Sequence, residues 1–163
     1  MKSERIHTFN GLKEQIYIAD YVPEENFTRH FPFRNYILVR AESGQNLYTK
    51  NKNSLVRQIL IESYERNINV VFLPRYESDK LHAKGLKNIY IPPNPMNGLD
   101  LCYHSDAVLT GSGTLAREAA CLGIPAVSFF PDSPINVDKY LIQKSKLLQK
   151  IAVKLLKSRP KDI

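Results

Sequence analysis

No stretch of this 163-residue chain approaches the run of about 18 apolar residues that a membrane-spanning helix requires. The opening residues Met1-Lys2-Ser3-Glu4-Arg5 do not lead into the apolar core of a signal peptide, so the expected location is the cytoplasm. Cysteine is scarce. Cys102 and Cys121 lack the paired spacing of a zinc site or a redox motif and are expected as buried, reduced thiols within helices. The four histidines (His7, His30, His82, His104) form no cluster with carboxylates at metal-ligand spacing, so neither a metal nor a cofactor is expected. Other signatures are missing too. No Walker A lysine follows the one glycine-rich turn, and Thr110 stands where a Gly-x-Ser-x-Gly elbow needs its first glycine. His104, Ser105 and Asp106 are consecutive and cannot converge as a triad. Internal repeats, low-complexity stretches and linkers are absent as well.

What is there is ordinary for one globular domain, with 43% apolar and 24% charged residues over residues 1–163. The net charge of +7 is unevenly placed. Residues 1–138 hold 15 basic and 15 acidic side chains, whereas residues 139–163 hold eight basic ones against Asp162. The body is neutral and all the excess lies in the tail, which argues against nucleic acid as the partner of the body.

Short apolar runs alternate with helical stretches, the pattern of βαβ units. Six strands are expected: Ile16–Ala19, Tyr36–Arg40, Asn69–Leu73, Asn88–Ile91, Asp106–Leu109 and Pro125–Phe129. Helices are expected near Glu24–His30, over Ser54–Arg66 with Leu55, Ile59 and Tyr64 near one face beside Val56 and Leu60, and over Glu77–Lys84, Asn97–Ser105 and Thr114–Leu122. Two more, at about Asn136–Lys144 and Leu147–Lys157, close the chain. The fold class this implies is α/β, a doubly wound, Rossmann-like parallel sheet of about six strands.

In such a sheet ligands bind beyond the carboxyl ends of the strands, where a strand passes to a helix. Gly111-Ser112-Gly113-Thr114 is such a passage. Its glycines permit a sharp turn and close approach of a ligand, and the free N–H groups of the next helical turn favour an anion such as phosphate. Ser112 and Thr114 are equally good residues for a plain helix cap with no ligand. Gly111, Gly113, Ala116 and Asp132 also meet a loose dinucleotide fingerprint, but the helix is short for it and the turn does not open the first βαβ unit.

The segment Leu109-Thr110-Gly111-Ser112-Gly113-Thr114-Leu115-Ala116-Arg117-Glu118-Ala119-Ala120-Cys121-Leu122-Gly123-Ile124-Pro125 resembles the C-terminal domain of glycosyltransferase-B-fold proteins. It is similar to the non-hydrolysing UDP-N-acetylglucosamine 2-epimerases, whose motif reads Thr-Asp-Ser-Gly-Gly-x-x-x-Glu-Ala and ends Leu-Gly-x-Pro. From about Asn10 to Leu147 the chain also resembles an uncharacterised, mainly prokaryotic family of this architecture. The landmarks are Val39-Arg40-Ala41-Glu42, Leu73-Pro74-Arg75, Asn97-Gly98-Leu99, the Gly-Ser-Gly-Thr turn and Val137-Asp138-Lys139-Tyr140-Leu141. The resemblance implies that Gly111, Ser112, Gly113 and Thr114 hold the diphosphate of a nucleotide-sugar, UDP-linked in the epimerases. It also implies that Glu118 takes the ribose hydroxyls. An exposed carboxylate, or one paired with Arg117, is the other reading of Glu118. Arg40 and Arg75 would neutralise phosphate from the strand ends, or serve as surface ion-pair members, and Glu42 is a weaker candidate for contacting the sugar.

Gly111 replaces the Asp of the epimerase motif and Thr114 its second glycine, so the match is to the nucleotide-holding scaffold rather than to the epimerase reaction. The fold type works in a cleft between two domains, and the N-terminal partner domain is absent from this chain. The expectation is therefore a nucleotide-sugar-binding half, inactive alone and needing a partner domain or chain, with transferase or epimerase chemistry only in that company. The alternative is a non-catalytic interaction module that docks to a separately encoded partner. A basic amphipathic helix at about 146–158, with Leu147, Leu148, Ile151 and Leu155 opposite Lys146, Lys150, Lys154 and Lys157, either packs on a domain or makes peripheral contact with an anionic membrane.

Overall fold

A computed structural model of the chain describes residues 9–42, 55–130 and 133–149. Six parallel strands form one sheet: β1 Ile37–Arg40, β2 Val70–Leu73, β3 Ile89–Tyr90, β4 Ala107–Thr110, β5 Ala126–Ser128 and β6 Leu148–Gln149. Their spatial order is β3-β2-β1-β4-β5-β6, so the chain winds outward from β1 in one direction and from β4 in the other. The β1/β4 junction is the point where the winding reverses.

The inner strands are apolar on both faces because both are covered. Successive residues alternate between two cores. Leu38, Val71, Val108 and Ala126 pack with Leu101 and Cys102 of α3 (Gly98–Tyr103) and with Leu115, Ala116, Ala119 and Ala120 of α4 (Gly113–Leu122). Val39, Val70, Phe72, Leu109 and Val127 point the other way, against Val56, Ile59 and Leu60 of α2 (Leu55–Glu65). Ala116, Ala119 and Ala120 leave little side chain between α4 and the sheet, and Gly123, at φ 80°, ends that helix in the left-handed conformation that favours glycine. Tyr36, 1% exposed, donates its hydroxyl to the Leu101 carbonyl at 2.9 Å and ties β1 to α3. Cys102 is fully buried, and burial pushes its thiol up to about 12, so it stays protonated packing material at neutral pH.

Three expectations need correction. Ile16–Ala19 is no strand: α1 spans Lys13–Ile18, its Gln15 side chain accepting a hydrogen bond from the Leu12 N–H at 2.8 Å. The buried residue of this helix is the charged Glu14, while Ile16 and Tyr17 face outward. The apolar spelling Ile-Tyr-Ile-Ala therefore misrepresents which side is inside. Second, of the apolar residues expected on the inner side of α2, Val56, Ile59 and Leu60 are buried, joined by Ser63, whereas Leu55 and Tyr64 are exposed. Third, the chain after Leu147 does not begin a helix. Leu148 and Gln149 pair in parallel with Val127 and Ser128 of β5, and Leu147 is 1% exposed. The rest of the basic segment, from Lys150 on, lies outside the described residues, as do Ser54, the polar stretch from Ser43 and Asp132. Among the described residues the remaining α-helix, α5, spans Asn136–Gln143, and the short helical stretches expected near Glu24–His30 and Glu77–Lys84 are 3-10 helices at Phe27–His30 and Glu77–Ala83. Among the described residues no helix is long and apolar enough to cross a membrane.

Candidate functional site

The turn after β4 is built by close approach. Gly111 N–H donates to the Arg40 carbonyl at 3.1 Å, stitching the end of β4 to the end of β1. A Cβ on Gly111 would stand 2.5 Å from the Glu42 Cβ and 2.6 Å from its Cα, so only glycine fits where the two strand-end turns touch. The next N–H, that of Ser112, is taken by the Thr110 hydroxyl at 2.8 Å. Ser112 is the N-cap of α4, yet its side chain makes no capping hydrogen bond. The helical ladder starts with Ala116 N–H to the Ser112 carbonyl at 3.1 Å. The N–H groups of Gly113, Thr114 and Leu115 precede that ladder and form the positive end of the helix dipole.

A cleft of about 520 Å3 opens beside this helix start. Arg40, Lys80, Ser112, Thr114 and Glu118 line it, together with an apolar wall that includes Pro92, Pro93, Pro95 and Met96. Four of the residues singled out in the sequence thus share one cleft. Gly111 and Gly113, also singled out in the sequence, belong to the same turn but are not among the residues lining the cleft. Glu42 lies against Gly111 rather than among the lining residues, and Arg75 is exposed near Arg40.

The electrostatics of the cleft are lopsided. Arg40 is half-buried, and its guanidinium is held below its ordinary value, first by burial and then by the charge of Arg75. Among the described residues no carboxylate pairs with either arginine. Glu42 is raised above the usual carboxylate range, by burial and then by Asp79. The Asp79 carboxylate meanwhile accepts the backbone N–H groups of Arg75 and Tyr76, at 2.8 and 2.9 Å, and fixes the turn after β2. Arg40, without a carboxylate partner among the described residues, thus shares the cleft with Lys80, the start of α4 and the Glu118 carboxylate.

Glu118 lies one turn along α4 from Thr114 and is not the partner of Arg117. Its Oε1 accepts the Tyr17 hydroxyl at 2.8 Å. Arg117 has other partners, donating to Glu14 at 2.8 Å and Asp138 at 3.0 Å. Sequence reasoning missed Lys80, the proline-rich wall and Tyr17. The prolines were legible as a strand stop, but nothing in spacing sets Lys80 or Tyr17 beside a turn at residue 111. Among the described residues no group of three or more His, Cys, Asp or Glu side chains is placed to hold a metal ion.

This is the C-terminal-domain fold of the glycosyltransferase-B type, with the candidate cleft at the strand-order reversal. The chain belongs to a family described as "Protein of unknown function (DUF354)", whose model matches residues 2–158. It is 37% identical over 116 residues to the uncharacterized protein MJ0665 of Methanocaldococcus jannaschii, covering 70% of this chain and 33% of that one. Among solved structures it is similar to the M. jannaschii UDP-GlcNAc 2-epimerase in complex with UDP-GlcNAc and UDP. There the TM-score is 0.58 at 16% identity, over 83% of this chain and 42% of the epimerase. An S. aureus MnaA–UDP co-structure matches with a TM-score of 0.60 at 14% identity, over 86% of this chain and 41% of that one. The chain thus spans between a third and a half of the length of the proteins it matches. At these identities the solved structures establish the fold.

Proposed function

We propose that this chain is the nucleotide-sugar-binding half of a two-domain protein of the glycosyltransferase-B type. The observation that carries the reading is the convergence of Arg40, Ser112, Thr114 and Glu118 on one cleft where the winding of the sheet reverses. The N-terminus of α4 and Arg40, with Arg75 beside it, receive the diphosphate, the Ser112 hydroxyl donating to a phosphate oxygen. Glu118 accepts hydrogen bonds from the ribose. That solved structures of the same fold hold UDP and UDP-GlcNAc supports a uridine nucleotide as the first ligand to try. The cleft offers cations and hydrogen-bond donors for binding, and among the described residues that line it no acid/base pair is poised for chemistry. Catalysis then requires a second domain closing over it, which makes this half inactive alone.

The test is an amide NMR titration of the chain with UDP, UDP-sugars, other nucleotide-sugars and NAD. Saturable shifts over Gly111–Glu118 with a nucleoside-diphosphate sugar, removed by Ser112→Trp and by Glu118→Ala, are expected. Stronger binding of NAD, or no shift at millimolar ligand with an intact spectrum, would refute the reading. In the second case the turn is a helix cap, and the module acts by docking to a partner.

A further inference from the structure

Helix α1 lies across α4 and touches it through two residues one turn apart. Glu14 meets Arg117, and Tyr17 meets the adjacent Glu118. The first contact is an anchor: Glu14 is 2% exposed, and Arg117 also reaches Asp138 on α5. With Glu14 fixed, the i+3 position on the same face of α1 is fixed too. The second contact is different in kind. Tyr17 is 42% exposed, and the carboxylate it holds lines the cleft.

A glutamate on a helix surface samples several rotamers, and ordering it on ligand binding opposes affinity. A phenol donating to Oε1 removes that freedom. It occupies one of about four lone-pair sites on the carboxylate and leaves Oε2 open. A ribose presents two vicinal hydroxyls, each a donor, to which such a fixed carboxylate is complementary. Tyr17 is a dependable donor, because burial and then the Glu118 hydrogen bond push its phenol above its ordinary value, so it stays protonated at physiological pH.

We propose that Tyr17 is a positioning residue for ribose recognition, holding Glu118 in the rotamer that receives the sugar hydroxyls and so selecting ribonucleotides over deoxyribonucleotides. The inference rests on the nucleotide-sugar reading of the cleft. It also gives α1, which lies outside the βαβ units, a part in the site.

Calorimetric titration of the 163-residue chain with UDP, 2′-deoxy-UDP and inorganic pyrophosphate separates the possibilities. Wild type is expected to prefer UDP to its deoxy analogue. Tyr17→Phe should weaken UDP about tenfold, the scale of one hydrogen bond to a charged group, while pyrophosphate changes by less than about twofold. Glu118→Gln should lose the ribose preference as well, and adding Tyr17→Phe to it should cost little more, because the two act as one unit. UDP binding by Tyr17→Phe as tight as wild type, or tighter, would overturn the inference; in the tighter case the phenol competes with ribose. Equal losses for UDP and pyrophosphate would overturn it also, by showing that the phenol merely packs α1. Wild type that binds pyrophosphate alone, or nothing, would instead sink the nucleotide reading itself, and the positioning role with it.

Discussion

Arg40 and Arg117 are both partly buried arginines in one small domain, and their surroundings are opposite. Arg117, 12% exposed, donates to the carboxylates of Glu14 and Asp138. Burial works against its charge, but the two hydrogen bonds prevail and hold the guanidinium above its ordinary value. Arg40 has another arginine for a neighbour and is held below its ordinary value. One charge is satisfied by the fold and clamps three helices together. The other is left over by the fold. A charge of the second kind is the one the proposed anion would complete.

The largest effect expected is at the satisfied charge. Arg117→Ala leaves the Glu14 carboxylate buried without its partner and should destabilise the chain by about 3 kcal/mol, read from the urea midpoint at unchanged slope. A loss below about 0.5 kcal/mol would show the network to be a solvated surface pair and erase the contrast.

Gly111→Ala tests the backbone that brings the two turns together. Its added methyl meets main-chain and Cβ atoms of Glu42, which cannot swing aside, so a loss of about 2 kcal/mol is expected, together with amide shifts at both turns. A variant as stable as wild type, with shifts confined to residues 110–112, would mean that the contact between the turns is loose.

Arg40→Ala is expected to change stability least, by about 0.5 kcal/mol or less and in the stabilising direction, since a partly desolvated charge disappears with no partner left behind. Pyrophosphate affinity should fall about tenfold in the same variant, as measured by calorimetry. A marked loss of stability without loss of anion affinity would place Arg40 in the same class as Arg117.

The sequence exposes the sheet and the turn better than it exposes the surroundings of either charge. Val39-Arg40 and Leu109-Thr110-Gly111 are legible because strand periodicity and glycine chemistry act over a few residues; β1 ends at Arg40 as the spelling places it, and β4 runs one residue past Leu109. Glu14 and Arg117 are 103 residues apart, and their contact is what makes α1 a buried-acid helix instead of the strand its Ile-Tyr-Ile-Ala spelling suggests. β6 is hidden for the same reason. Leu147, Leu148, Ile151 and Leu155 have helical spacing, but the edge of β5 recruits Leu148 and Gln149 into a strand by pairing that no local pattern encodes. Lys80 reaches the cleft, and Tyr17 the Glu118 carboxylate that lines it, through tertiary packing alone.

Ile91-Pro92-Pro93-Asn94-Pro95 forms one side of the cleft, and each of its three prolines has φ locked near −65°. A wall of that composition has little conformational entropy to surrender when something settles against it, so the free energy of contact is not spent on ordering a loop. Recognition on that side is then a matter of matching a fixed contour. A ligand meeting that wall should associate quickly, with selectivity residing in shape.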